Sequence, residues 1–212
     1  MRSLDGALLY AIVDTGYVGR ENLSLITSLL INGGADIIQL RAKKESIEEV
    51  LSIARELAPI CKTARIPFIL NDYPELVQAA GASGAHVGQD DLSVSEARRL
   101  AGKGALIGKS THSLEQAQSA VTEAPDYIGF GPIFSTPTKP DYQPIGTELI
   151  QKTHRALSLP IFCIGGIKLS NLQEVLDSGA KRVVVVSDLL TAEDPVDRTA
   201  AFKLLLKSRA SS

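Results

Sequence analysis

Cysteine is scarce. Only Cys61 and Cys163 occur in 212 residues. They lie far apart and without CxxC spacing, which excludes a disulfide framework and a zinc site of the usual pattern. They read as reduced core thiols of a cytoplasmic protein. Surplus charge is also lacking. The formal net charge is −2 and no long basic run appears, which argues against nucleic acid and against a polybasic membrane contact. No apolar stretch reaches membrane-spanning length, and the first residues lack the basic-then-apolar pattern of a signal. No GxGxxG follows the first apolar run, where Asp14-Thr15-Gly16-Tyr17 stand instead, so the dinucleotide fingerprint is missing. At 44% hydrophobic residues the chain is not a disordered one. With no linker and no low-complexity segment, a single domain is expected over residues 1–207, with 208–212 as a frayed tail.

What is present is a regular alternation. Short, continuous apolar runs begin near Leu8, Ile37, Pro67, Ala85, Leu106, Tyr127, Pro160 and Arg182. Runs of this kind suit strands buried on both faces. Between them lie helical patterns. Ser46 with Glu49, Ser93 with Glu96, and Ser113 with Gln116 each read as a capping box. Gly33-Gly34 stops the first helix. Pro59 falls inside the second and is expected to kink it or end it early. Eight strand–helix units with strict alternation predict a parallel sheet closed into a single (β/α)₈ barrel of the TIM type. An open doubly wound sheet is the rival, but it usually has fewer strands.

In a barrel all strand C-termini open on one face, so the residues ending each strand enumerate the candidate site. They are Gln39 and Arg41, Asn71 and Asp72, Asp90 and Asp91, Ser110, the Thr136–Lys139 loop, Gly165-Gly166 and Ser187. Nearly all are polar or glycine, although the strands leading into them are apolar. Two kinds of site emerge. Gly165-Gly166 and Val186-Ser187 sit where barrels often place a phosphate, after strands seven and eight. A plain Gly-Gly turn is the competing reading. Asp72 and Asp91 end neighbouring strands, so their carboxylates can face one cavity and hold Mg²⁺ against substrate phosphates. Helix N-capping is the competing reading for each aspartate alone. Arg41, Lys43 and Lys139 supply positive charge for phosphate oxygens. The loop after strand six, with Thr136, Pro137, Thr138 and Lys139, reads either as a ligand loop or as a stiff connection. Of the three histidines, His86 and His154 read as structural or surface residues. His112 lies near the site without a triad partner, and no general base is assigned.

These strand ends, in this order, resemble the thiamine-phosphate synthase (thiamine-phosphate pyrophosphorylase) family. The resemblance covers almost the whole chain. It rests on QLRAK at Gln39–Lys43, ND at Asn71-Asp72, HVGQDD at His86–Asp91, GKSTH at Gly108–His112, GFGPIFSTPTK at Gly129–Lys139, IGGI at Ile164–Ile167 and VVS at Val185–Ser187. Each piece is weak and the ordered set is specific. The resemblance implies joining of an aminopyrimidine methyl diphosphate to a thiazole phosphate, or its 2-carboxylate, giving thiamine phosphate and diphosphate. It implies that Gln39, Leu40, Arg41, Ala42, Lys43, Asn71, Ser110 and Lys139 hold the pyrimidine diphosphate. Arg41, Lys43, Ser110 and Lys139 would act on the reacting groups. Asp72 and Asp91 would hold one Mg²⁺ per subunit, and Thr136, Pro137, Thr138, Gly166, Val186 and Ser187 the thiazole phosphate. It further implies a dissociative reaction, in which diphosphate leaves before the thiazole nitrogen attacks. The expected partners are two small phosphorylated substrates, with no nucleic acid and no membrane. Assembly of the chain with copies of itself is left open. Cys163 and Lys109 depart from the family's usual residues, away from the matched ligands. Two rivals remain: a thiazole tautomerase-like paralogue, which generally lacks the metal aspartates, and a non-catalytic phosphate binder.

Overall fold

The eight apolar runs become eight parallel strands hydrogen-bonded in chain order into a closed barrel. The computed structural model describes Leu4 and residues 6–136 and 143–210. The strands are β1 (Leu9–Asp14), β2 (Ile37–Arg41), β3 (Phe68–Asn71), β4 (Gly84–Val87), β5 (Leu106–Thr111), β6 (Tyr127–Phe130), β7 (Ile161–Cys163) and β8 (Val183–Val185). Helices α1 (Leu23–Asn32), α2 (Ile47–Ala64), α3 (Val77–Ala80), α4 (Val94–Ala101), α5 (Leu114–Thr122), α6 (Ile150–Ala156), α7 (Leu172–Asp177), α8 (Ser187–Leu190) and α9 (Pro195–Ala210) lie between and after them. β1 pairs with β2 on one side and β8 on the other, which closes the ring.

Alternation along each strand divides the apolar residues between two cores. Leu9, Ala11 and Val13 of β1 face the helices in the larger outer core. Tyr10 and Ile12 face inward and join Leu4, Ala7, Ile37, Ile69, Leu106, Tyr127, Phe162 and Val184 inside the barrel. A strand buried on both faces has no position to give to a polar residue until it reaches its end. That is why the sequence shows continuous apolar runs with polar termini.

The capping signals hold, with one variation. Ser46 and Glu49, and Ser93 and Glu96, form reciprocal boxes at α2 and α4. At α5 Ser113 accepts from Gln116 N at 3.1 Å, but Gln116 Oε1 turns to His112 N at 2.7 Å, one residue beyond the cap. Pro59 neither ends nor splits α2, which runs on to Ala64 and stops with Arg65 at a left-handed φ of 62°. Three expectations shift at their edges. α9 continues to Ala210, so Ser208, Arg209 and Ala210 belong to a helix rather than to a tail. Arg209 pairs with Asp177 at 3.3 Å and Ser208 bonds back to Leu205 O at 2.8 Å. A short helix, α8, starts at Ser187, directly after the eighth strand, where the apolar run gave no helical period to read. The helices after strands six and seven begin at Ile150 and Leu172, about three residues later than the Thr147 and Leu169 that the sequence pattern suggests.

Candidate active site

The C-terminal ends of the strands surround one cavity. Of the residues expected to bind ligands, Gln39, Arg41, Asn71, Ser110, Thr136, Gly166, Val186 and Ser187 line it. Lys43, Asp72 and Asp91 are not among its lining residues, and neither are Leu40 and Ala42. The Leu40 and Ala42 side chains point into the outer core, 1% and 2% exposed, because they alternate with Gln39 and Arg41, so they can reach a ligand only through the main chain. Pro137, Thr138 and Lys139 lie outside the described residues. Lys109 alternates with Gly108 and Ser110 and is buried away from the cavity.

The charged part of the site stands where β1, β2, β3 and β4 end. Asp14 and Arg41 are register partners, and Arg41 Nη1 meets Asp14 Oδ2 at 2.6 Å. Asp14 is 2% exposed, and its other oxygen accepts from Gly16 N at 2.8 Å. A carboxylate so held fixes one arm of the guanidinium and leaves the rest of its fork for a ligand. Sequence reasoning missed this role. The available signal was an acidic residue ending one strand beside an arginine ending the next.

Lys43 pairs with Asp72, whose backbone adopts a left-handed φ of 67° and whose amide donates to His86 O at 2.9 Å. Burial raises the Asp72 carboxyl above its usual range. Lys43 pulls against that shift and the nearby Asp91 carboxylate reinforces it. Asp91 Oδ2 accepts from Gly88 N at 2.6 Å, and a Cβ on residue 88 would stand 2.8 Å from that oxygen. Neither aspartate caps a helix, since Ser93 caps α4 and the turn after Asp72 has no side-chain cap. The N-capping reading therefore falls, and the structure brings together the two carboxylates that the sequence placed on neighbouring strands. A close pair of carboxylates is an unfavourable arrangement that a divalent cation relieves. The donors are hard oxygens and fit Mg²⁺, which keeps waters and phosphate oxygens for the rest of its shell. Among the described residues no cluster of three or more acidic, histidine or cysteine side chains could hold a metal unaided.

On the opposite wall, Gly165 and Gly166 have φ of 100° and 65°. Added Cβ atoms would meet Pro132 Cβ at 2.4 Å and Ser135 O at 2.6 Å. The pair is thus more than a turn, because it lets the segment after β6 pack directly on the end of β7. Ile133 N and Phe134 N donate to Ile164 O and Gly165 O at 2.8 and 3.0 Å, which fixes the approach to Thr136. Among the described residues the amides of Gly166 and Ser187 meet no protein acceptor, and both residues line the cavity.

His86 is neither surface nor remote. It lines the cavity, with Nε2 2.9 Å from Ser110 Oγ and Nδ1 3.2 Å from Tyr127 Oη. His112 also lines it, and its Nδ1 donates to Gly131 O at 2.6 Å. His154 is remote, on α6. Burial drives the Cys163 thiol up to about 12, so it stays protonated and inert.

A family model described as thiamine monophosphate synthase matches residues 9–189. The chain belongs to the thiamine monophosphate synthase family. It is 43% identical over 202 residues to the thiamine-phosphate synthase of Halalkalibacterium halodurans, covering 95% of this chain and 96% of that one. It is 42% identical over 187 residues to the thiamine-phosphate synthase of Shouchella clausii, covering 88% and 90%. A solved thiamine phosphate pyrophosphorylase from Pyrococcus furiosus superposes with a TM-score of 0.86 at 29% identity, covering 95% of this chain and 96% of that chain. Membership of the thiamine monophosphate synthase family makes the chain a transferase of thiamine biosynthesis. Among the described residues no helix is long and apolar enough to cross a membrane.

Proposed function

We propose that this cavity joins an aminopyrimidine methyl diphosphate to a thiazole phosphate, releasing diphosphate and giving thiamine phosphate. The observation that carries the assignment of sites is the Lys43–Asp72–Asp91 cluster beside Arg41. A diphosphate needs concentrated positive charge. The described residues there offer two cations, Arg41 and Lys43, against three carboxylates, Asp14, Asp72 and Asp91. Together these leave the rim one negative charge in excess, and a divalent cation with Lys139 turns it net positive, the sign a diphosphate needs. Asp72 and Asp91 would hold Mg²⁺, which when bound neutralises charge growing on the departing diphosphate.

The chain's own residues do the rest. Arg41, Lys43, Asn71, Ser110 and Lys139 bind the diphosphate, and Gln39 positions the pyrimidine end from inside the barrel. The Leu40 and Ala42 main chain carries Gln39, Arg41 and Lys43 to their places. Thr136, Pro137, Thr138, Gly166, Val186 and Ser187 hold the thiazole phosphate. Diphosphate leaves before the thiazole nitrogen attacks, so the protein's task is to align two rings and keep water from the cation between them. No strong general base is needed.

The test is diphosphate release with both substrates, with Mg²⁺ and again with excess EDTA. Metal-dependent diphosphate together with thiamine phosphate is the expected result. A folded protein that binds thiazole phosphate but makes no product would overturn the proposal in favour of a tautomerase-like or binding role.

A further inference from the structure

Five polar side chains inside the barrel form one unbroken hydrogen-bonded chain. Gln39 Nε2 donates to Tyr10 Oη at 2.7 Å. Tyr10 Oη lies 3.0 Å from Tyr127 Oη, Tyr127 Oη 3.2 Å from His86 Nδ1, and His86 Nε2 2.9 Å from Ser110 Oγ. Five strands contribute one residue each. Gly108 makes the room, since a Cβ there would stand 2.2 Å from Tyr127 Cζ and 2.5 Å from His86 Nδ1.

The chain has a direction. The Tyr10 oxygen already accepts from Gln39, so the Tyr10 proton goes to Tyr127. Tyr127 then turns its proton to His86 Nδ1. An imidazole accepting at Nδ1 carries its own proton on Nε2, and Nε2 donates to Ser110 Oγ. The Ser110 proton is left for the cavity that this residue lines. Burial holds both phenols well above their usual range, so neither loses the proton it must donate. The opposite direction would need the Gln39 amide turned over. It would use the Ser110 proton on His86 and present only lone pairs to the cavity. In the cavity that Ser110 shares with Arg41, where an anion is to sit, a donor is favourable and a lone pair repels.

We infer that Tyr10, Tyr127 and His86 are positioning residues that fix the Ser110 hydroxyl as a hydrogen-bond donor to the leaving diphosphate. The inference rests on the substrate assignment proposed above. The hydroxyl dipoles align with their positive ends toward the growing negative charge, and each bond polarises the next.

Two measurements test it. In ¹⁵N-histidine NMR of the full chain, His86 is identified as the resonance lost in His86→Gln. It should be the neutral Nε2–H tautomer. An Nδ1–H tautomer or an imidazolium would overturn the direction. In kinetics, Tyr127→Phe should lower kcat about tenfold, the worth of one directed hydrogen bond, with KM changed less than about twofold. The double variant Tyr127→Phe/Ser110→Ala should be no slower than Ser110→Ala alone, because Tyr127 acts through Ser110. Additive losses would overturn the relay and leave Tyr127 a packing residue. If Tyr127→Phe does not fold, the tautomer of the unmodified protein decides. If that protein makes no thiamine phosphate, the substrate assignment fails, while the tautomer still reports on the relay.

Discussion

At the rim, Arg41 meets Asp14 and Lys43 meets Asp72. Inside the barrel, Gln39, Tyr10, Tyr127, His86 and Ser110 meet one another through hydrogen bonds alone. The Lys43 side chain is 47% exposed, and ion pairs that open to water contribute little to stability and exchange partners readily. Tyr10 and Tyr127 are 1% exposed, where an unmade hydrogen bond costs the full desolvation of its group. The two regions therefore do different work. On the proposed function the exposed part of the rim can exchange partners, Lys43 leaving Asp72 for an anion, while the buried Asp14 keeps its arm of Arg41. The interior cannot, and it serves as the fixed reference against which ligands are aligned.

Substitutions can separate them. The largest effect is expected from Asp72→Asn, with Lys139→Ala beside it. Turnover should fall at least about 100-fold, equivalent to ~2.7 kcal/mol, while the melting temperature stays level or rises. Burial disfavours the charge on Asp72 in the fold, so removing it relieves a cost, and Asn tolerates the left-handed backbone there. Equal loss of turnover and stability would end the distinction between an exchangeable rim and a fixed interior. Gly108→Ala attacks the other region. It should cost about 1–3 kcal/mol in denaturant unfolding through overpacking against Tyr127, and lower turnover without weakening metal dependence.

A third prediction contrasts two histidines. His86 has both ring nitrogens engaged. His154 Nε2 is buried without a hydrogen-bond partner, and burial, with Lys181 and Arg182 adding to it, pushes its pKa down to about 4. The unfolded chain binds that proton near pH 6.5, before the folded chain does, so stability is full above 6.5 and declines as pH falls toward 4. The loss should be on the order of 2 kcal/mol after allowing for partial exposure, read as a urea midpoint across pH. In His154→Leu that slope should flatten. The smallest effect is expected from Asp14→Asn, which keeps an acceptor for Arg41 but loses the charge. KM for the pyrimidine diphosphate should rise about threefold, less than 1 kcal/mol, with kcat little changed.

The barrel was legible because burial on both strand faces leaves a plain mark, and the polar ends of those strands gave the rim. Asp72, Asp91, Arg41 and Lys43 could be named from their places in the order. The interior was not legible. Tyr10 and Tyr127 sit inside apolar runs and read as core residues, and His86 as structural. Their meeting depends on inward alternation from strands 117 positions apart in the case of the two tyrosines, and no local pattern records it. The outward turn of Leu40 and Ala42 was visible in principle from period two, but a contiguous motif concealed it. The short helix at Ser187 and the true end of α9 were lost for the ordinary reason that helix edges depend on tertiary contacts.

Leu4, Ala7 and the interlocked rings of Tyr10, Tyr127 and Phe162 stopper the barrel's floor. With that packing beneath the cavity, the ligand that settles deeper is expected to enter first and depart last. Product-inhibition patterns should then carry the signature of an ordered queue.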